Sequence, residues 1–203
     1  MIELAARTCY KSEGRISEDD SSAKTLVRSL IKRGHEAMLE HSMLSVRFTI
    51  DRGVSHEVVR HRLSSFAHES TRYCNYSGDK FGNEITAINI ENGISKDAKM
   101  RDLPIQQVLQ IITEWYRAMF DAEGHYLKMI ELGATPQIAR GALPLSTKGD
   151  LVVTTNYREW RNIFKLRTDI AAHPQMRVIM DELLLDLKEQ LPIIFDDIGW
   201  DAS

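Results

Sequence analysis

The chain has 203 residues, 43% of them hydrophobic and 27% charged, with a formal net charge of −3. That is long and apolar enough to bury a core, and its charge excludes a globally basic binder of nucleic acid or anionic membranes. No apolar run approaches the ~18 residues of a membrane span, and the first residues, Met1-Ile2-Glu3-Leu4-Ala5-Ala6-Arg7, lack the basic and apolar regions of a signal peptide, so the cytoplasm is the expected location.

Residues 2–10 read as a short helix, followed by a polar loop from Ser12 to Asp20. Ser21 or Ser22 is placed to cap a second helix with Leu26, Val27, Leu30 and Ile31 on one face and Gly34 as its stop. Leu44 to Ile50 alternates apolar and polar residues, the period of a strand. Asp51-Arg52-Gly53 reads as a turn, with Ser55 capping a helix that carries His56 through Arg62. The stretch from Ser64 to Asn83 is too rich in Ser, Thr, Asn and Gly for regular structure, and Ile85 to Ile90 reads as a strand. Leu103 to Leu132 is the longest helical pattern, with Ile105, Val108, Ile111, Ile112, Trp115 and Met119 on one face and Gly133 at its end. A short helix over Pro136 to Arg140, a β-branched strand over Leu151 to Thr155, and helices over 157–168 and 174–190 complete the chain. The expected fold class is α+β: a single domain over 1–203 with a central, mostly antiparallel sheet flanked by helices.

Chemistry concentrates in Arg60-His61-Arg62-Leu63-Ser64-Ser65-Phe66-Ala67-His68-Glu69-Ser70-Thr71-Arg72-Tyr73. Guanidinium groups bind phosphate through two parallel hydrogen bonds, and Ser70, Thr71 and Arg72 can add hydroxyl and backbone donors. On a helix, Arg60 and His61 point about 100° apart and Arg60 and Arg62 about 200° apart, so one short segment can address two ligands. The competing reading is a solvated basic helix end. A second cluster is Asn156-Tyr157-Arg158-Glu159-Trp160-Arg161-Asn162 with Leu166-Arg167. Asn156 or Thr155 can cap its helix, and Arg158, Asn162 and Glu159 share a face suited to a base edge or a phosphate, although a mixed polar surface helix has the same pattern. Arg140, ahead of Leu143-Pro144, is a third candidate anion ligand.

These blocks resemble the flavin-dependent thymidylate synthases. Arg60-His61-Arg62, seven residues, then Ser70 matches that family's RHR-x7-S signature and continues through Thr71-Arg72-Tyr73. Ala5-Ala6-Arg7-Thr8-Cys9-Tyr10 resembles its AARxSY-like opening, with Cys9 in place of serine, and His35 to His41 resembles its HxxxxEH segment. Arg140 with Leu143-Pro144, then Asn156, Arg158, Asn162 and Arg167, follow in the family's order. The family usually carries glutamine at the position of Glu57, an acid or amide at that of His68, and a strand before the opening block.

The resemblance implies reductive methylation of dUMP to dTMP, with methylenetetrahydrofolate as carbon donor, FAD as hydride mediator and NADPH as reductant. It implies an FAD site from Glu40, His61, Arg62, Leu63, Asn156, Arg158 and Asn162. It implies a dUMP site from Glu57, Arg60, Ser70, Thr71, Arg72, Arg140 and Arg167, with Arg167, Arg72 and Ser70 closest to the chemistry and no protein nucleophile. His35 and Tyr73 would lie near the flavin ring and folate pocket. It also implies a homotetramer with sites shared between subunits, in which the helix from Leu103 to Leu132 is a candidate packing element, and it implies neither a nucleic-acid nor a membrane partner.

Three other readings compete. Cys74 beside Arg72 suggests a nucleophilic cysteine, but the PCxH-type context of the classical thymidylate synthase is absent. His56-Glu57-Val58-Val59-Arg60 resembles HExxH but has arginine where the second zinc ligand belongs, so no metal site is expected. A nucleotide- or RNA-binding module using the Arg60–Arg72 cluster is the non-enzymatic alternative, weakened by the net negative charge.

Overall fold

A computed structural model describes residues 1–199. In chain order the elements are α1 (Ile2–Tyr10), α2 (Ser21–Lys32), β1 (Met43–Asp51), α3 (Arg52–Val58), β2 (Ser65–His68), α4 (Glu91–Lys96), α5 (Ile105–Glu131), α6 (Pro136–Ala139), β3 (Lys148–Asn156), α7 (Tyr157–Arg167), α8 (Pro174–Gln190) and α9 (Pro192–Phe195). A 3₁₀ turn over Glu36–His41 leads into β1. Contacts divide the chain into two units: one holds Met1–Val46, His61–Ser65 and the residues from Thr154 onward, the other Arg47–Arg60 and Phe66–Val153. The α+β class holds, with helices around a three-stranded sheet in the order β1-β3-β2.

The sheet is antiparallel. Thr49 meets Asp150 while Ser45 meets Thr154, and Glu69 N donates to Asp150 O while Thr155 Oγ1 donates to Leu63 O. Along β3, Gly149, Leu151, Val153 and Thr155 are buried and alternate with more exposed residues, as does the second half of β1. One face of the sheet is therefore solvated, as antiparallel sheets allow. On that face Arg47 and Asp150 pair at 2.6 Å.

The first unit owes its core to α7 and α8. Trp160, Ile163 and Phe164 are buried from α7, and Met176, Met180, Leu184 and Leu187 from α8. Each such side chain contributes roughly 1.5–3 kcal/mol on burial. Asn156 is the N-cap of α7, as its sequence position suggests, and its side-chain oxygen accepts from Glu159 N at 2.9 Å. Trp160 Nε1 donates to Leu44 O at 3.1 Å, which fixes the start of α7 beside β1. Arg161 is 1% exposed and meets Asp197 through two bonds of 2.6 and 2.7 Å, Glu36 at 3.3 Å and the Ile194 carbonyl. A buried guanidinium stripped of those partners is strongly destabilising.

In the second unit, Tyr76, Tyr126 and Ala139 form a small core with Phe81, Ile85, Leu127 and Leu143 packed around it. Of the long helix α5 only Tyr126 is fully buried. Val108, Ile112, Trp115 and Met119 are half-buried, whereas Ile105 and Ile111, expected on the same face, are exposed together with Leu109, Tyr116 and Phe120.

Five other expectations are corrected. The N-cap of α2 is Asp20, at a φ of 59°, and the serine hydroxyl that accepts from the first turn is that of Ser17, 2.9 Å from Ser22 N. Helix α3 starts at Arg52 rather than after a turn, because Asp51, not Ser55, caps it by accepting from Val54 N at 2.7 Å. It stops at Val58, before Arg60, His61 and Arg62. A strand over Ile85 to Ile90 reduces to one antiparallel bridge, Ala87 with Thr147, whereas Ser65–His68, expected to be irregular, forms β2 by pairing with β3. Gly34 and Gly133, both with positive φ, end α2 and α5 as expected.

Asp51 is a buried cap, so Asp51→Ala should lower stability by about 1–2 kcal/mol in urea unfolding, and Asp51→Asn should recover most of it. An unchanged midpoint in Asp51→Ala would remove the cap assignment.

Candidate functional site

The first unit contains a cavity of about 590 Å³ lined by Glu36, Glu40, Leu63, Asn156, Arg158, Glu159, Asn162 and Lys165. One side of it is α7, along which Arg158, Asn162 and Lys165 recur at helical spacing. The 3₁₀ turn before β1 brings Glu36 and Glu40 to it, and Arg158 donates to Glu40 at 2.5 Å. Both partners are half-exposed, so this pair is weak and can open to a ligand. Asn162 Nδ2 lies 3.3 Å from both Glu159 carboxylate oxygens.

Beside this cavity, His61 is buried between two charged groups. Its Nδ1 lies 3.2 Å from Glu159 Oε1, and Arg167 Nε donates to its Nε2 at 3.0 Å. A guanidinium only donates, so Nε2 is the acceptor and the ring proton sits on Nδ1, facing Glu159. Burial, together with the Arg167 charge, pulls the His61 pKa below its ordinary value against the opposing pull of Glu159. The imidazole is therefore neutral near pH 7.

The second unit contains a cavity of about 360 Å³ lined by Arg52 and His56 from α3, Thr71, Gln137 and Ile138 from α6, and Arg140, Gly141, Leu143, Pro144 and Leu145. Thr71 is buried. The Ser70 carbonyl accepts from Tyr73 N and Cys74 N, which folds Ser70–Cys74 into a turn. Arg72 reaches from that turn to Gln137 Oε1 through two bonds of 3.1 and 3.2 Å, with its guanidinium 5.3 Å from the Tyr73 ring centre.

Of the residues expected around FAD, Glu40, Leu63, Asn156, Arg158 and Asn162 line the first cavity. His61 supports it through Glu159, and Arg62 is exposed and absent from its lining. Of those expected around dUMP, Thr71 and Arg140 line the second cavity and Arg72 is bonded to its Gln137. Ser70 lies in the adjoining turn, Glu57 lies in the last turn of α3 and Arg60 two residues past its end, neither of them lining that cavity. Arg167 belongs to the first unit, on His61. The helical argument that turned Arg60 and Arg62 about 200° apart does not apply, because α3 has ended. Instead, Arg60 belongs to one unit and Arg62 to the other. Glu36, Lys165, Arg52, His56 and Gln137 were not singled out as ligands in the sequence.

Cys9 is exposed, and Cys74 is half-buried with its thiol pushed up by burial and the Glu69 charge, the opposite of an activated nucleophile. Among the described residues no group of three or more His, Cys, Asp or Glu could hold a metal, and no helix is long and apolar enough to cross a membrane.

Residues 1–193 match the family described as thymidylate synthase complementing protein, and the chain belongs to that family. It is similar to proteins named flavin-dependent thymidylate synthase. That of Corynebacterium aurimucosum is 30% identical over 203 residues, covering 97% of this chain and 78% of its own. That of Geobacter sulfurreducens is 30% identical over 205 residues, covering 98% and 81%. That of Mycobacterium tuberculosis is 27% identical over 202 residues, covering 97% and 78%. The resemblance read from the sequence blocks agrees with these names, and the RNA-binding alternative finds no support in them.

The neutral state of His61 fixes a sign for acid unfolding. Its folded pKa is depressed, so below about pH 6.5 the unfolded chain binds more protons than the folded one. Stability is fully present above that pH and falls as pH drops toward the folded pKa. His61→Gln should show a shallower loss between pH 7 and 5 in urea titrations. His68, also depressed, leaves part of the slope in place. Identical slopes in parent and variant would contradict the assignment.

Proposed function

We propose that this chain is a flavin-dependent thymidylate synthase, one functional domain over 1–203, which methylates dUMP to dTMP. It would take the methylene of methylenetetrahydrofolate and consume NADPH and a proton to complete the methyl group. The observation that carries this reading is the family match together with two polar cavities, one in each unit, that divide the residues of the family's blocks.

The first cavity fits FAD by the chemistry of its lining. Arg158 and Lys165 offer cationic donors for a pyrophosphate, Asn162 and the unused amide nitrogen of Asn156 suit a base edge or a ribose, and Glu40 can accept from hydroxyl or amine groups. Its volume lies in the ordinary range of ligand sites. Bound there, FAD would supply the hydride chemistry that no side chain can. Arg167, whose Nε is held by His61, is assigned to the substrate as the cation that stabilises developing negative charge, while Arg62 would reach the flavin nucleotide from outside the lining.

The second cavity would take dUMP. Thr71, Arg72 and Arg140 bind the phosphate, with Ser70 offering its hydroxyl, and Arg60 and Glu57 complete the nucleotide contacts from the end of α3. His35 and Tyr73 are assigned to the flavin ring and folate side. No protein nucleophile takes part. A homotetramer with shared sites accounts for the exposed stripe Ile105, Leu109, Tyr116 and Phe120 on α5, which another copy would cover. No nucleic-acid or membrane partner is proposed, and the cytoplasm is the proposed location.

Two sets of variants test this reading. Arg158→Ala and Asn162→Ala should lose bound flavin, read from the visible absorbance of the purified protein. Arg72→Ala and Arg140→Ala should keep flavin and weaken dUMP by about 1.5–3 kcal/mol each, the range for hydrogen bonds to a charged group. Full dUMP affinity in both of the latter would move the nucleotide elsewhere. Cys9→Ala and Cys74→Ala should both keep dTMP synthesis, and its complete loss in flavin-loaded Cys74→Ala would restore a thiol mechanism.

A further inference from the structure

The second cavity has a guanidinium that the sequence blocks do not account for. Arg52, the first residue of α3, lines it beside His56, Thr71 and Arg140. Its NH1 lies 3.2 Å from His68 Nε2 and donates to the Glu69 carbonyl at 3.1 Å. The two side chains lie against the backbone of β3 at Gly149, where an added Cβ would be 3.4 Å from His68 Nε2 and 3.7 Å from Arg52 NH1. His68 stands where the resembled family usually has an acid or an amide.

We propose that His68 is a positioning residue for the nucleotide cavity, holding Arg52 in its wall as an additional phosphate-binding cation. This rests on the reading of that cavity as the dUMP site. A carboxylate at position 68 would also hold Arg52, but as an ion pair that competes with the incoming phosphate. A neutral imidazole nitrogen fixes the guanidinium through one hydrogen bond and leaves its charge and remaining N–H groups for the ligand.

The arrangement works only while His68 is neutral, because Nε2 must accept. Burial, then the charges of Arg52 and His56 on α3, hold the His68 pKa below its ordinary value, against the pull of Glu69 on its own segment. From β3, Gly149 faces it without a side chain. Protonation at lower pH turns Nε2 into a donor and sets an imidazolium against Arg52, which then keeps only the Glu69 carbonyl.

The test is calorimetric titration of dUMP into the flavin-loaded protein from pH 8 to pH 5.5. Parent, Arg52→Ala, His68→Ala, His68→Gln and Arg140→Ala are compared. Arg52→Ala should weaken dUMP about tenfold or more at pH 8. His68→Ala should weaken it less, and His68→Gln, whose amide oxygen can accept from Arg52, should recover it. The dUMP phosphate itself titrates near pH 6, so the decisive quantity is the difference between parent and His68→Gln. The parent should lose more affinity toward acid than that variant. Proton NMR of the imidazole supplies a readout independent of ligand: Arg52→Ala should raise the His68 pKa. Parental affinity in Arg52→Ala, or identical pH profiles in parent and His68→Gln, would overturn the proposal while leaving the cavity reading intact. Failure of the parent to bind dUMP, or full affinity in Arg140→Ala, would overturn the cavity reading and the proposal together.

Discussion

A guanidinium that is to bind an incoming anion must be held in place without being neutralised. In this protein the same contact occurs in each unit: a partly or fully buried imidazole lies against an arginine N–H. Arg167 donates to His61 at 3.0 Å, and Arg52 meets His68 at 3.2 Å. Both imidazoles have lowered pKa values, burial being the leading cause in each case. The buried arginine of the first unit's core has carboxylate partners instead. Arg161 is enclosed by Asp197 and Glu36, and the Asp197 carboxyl is held below its usual range by that arginine. A carboxylate neutralises the cation it holds, whereas a neutral imidazole leaves the charge of its arginine in place.

Placing His61 explains why the Arg60–Arg62 segment is not helical. Continuing α3 would add a few backbone bonds worth about 1 kcal/mol each. Ending it at Val58 lets His61 lie between Glu159 and Arg167, in a turning segment from Val59 to Ser64 that leads to β2. Nothing local in the sequence signals this stop, since Val59 is followed by neither glycine nor proline. The missed strand β2 has a similar origin. Ser65-Phe66-Ala67-His68 has weak intrinsic strand preference and forms because β3 offers it a paired edge. Conversely, Ile85 to Ile90 has the composition of a strand, yet Ile85 N is taken by Glu123 at 2.7 Å, and only Ala87 pairs. Elements marked by periodicity and punctuation were legible: α5 lies where its apolar spacing puts it, α7 and α8 lie where helices were expected, and Asn156 caps α7 as expected.

The candidate site was legible where family blocks supply it and opaque where tertiary structure does. Arg158 and Asn162 share a face by helix geometry, and Asn156 precedes them as the cap, so three lining residues of the first cavity follow from one short segment. Glu36 and Lys165 line the same cavity, but an isolated glutamate in a 3₁₀ turn and a lysine among surface charges carry no local signal. Arg52 was read as part of a turn, and the role proposed for it rests on its contact with His68, sixteen residues on. That His68 departs from the usual residue at its position was visible in the sequence, but its partner was not.

The central claim is that these two cavities serve a reductive methylation that runs through flavin. The most direct measurement is an anaerobic assay of the purified, flavin-loaded protein with dUMP, methylenetetrahydrofolate and NADPH, following dTMP by chromatography. The account predicts dTMP formed in step with NADPH consumed, and none when flavin is removed. Formation of dTMP without flavin, or flavin-loaded protein that binds dUMP yet makes no dTMP, would contradict it.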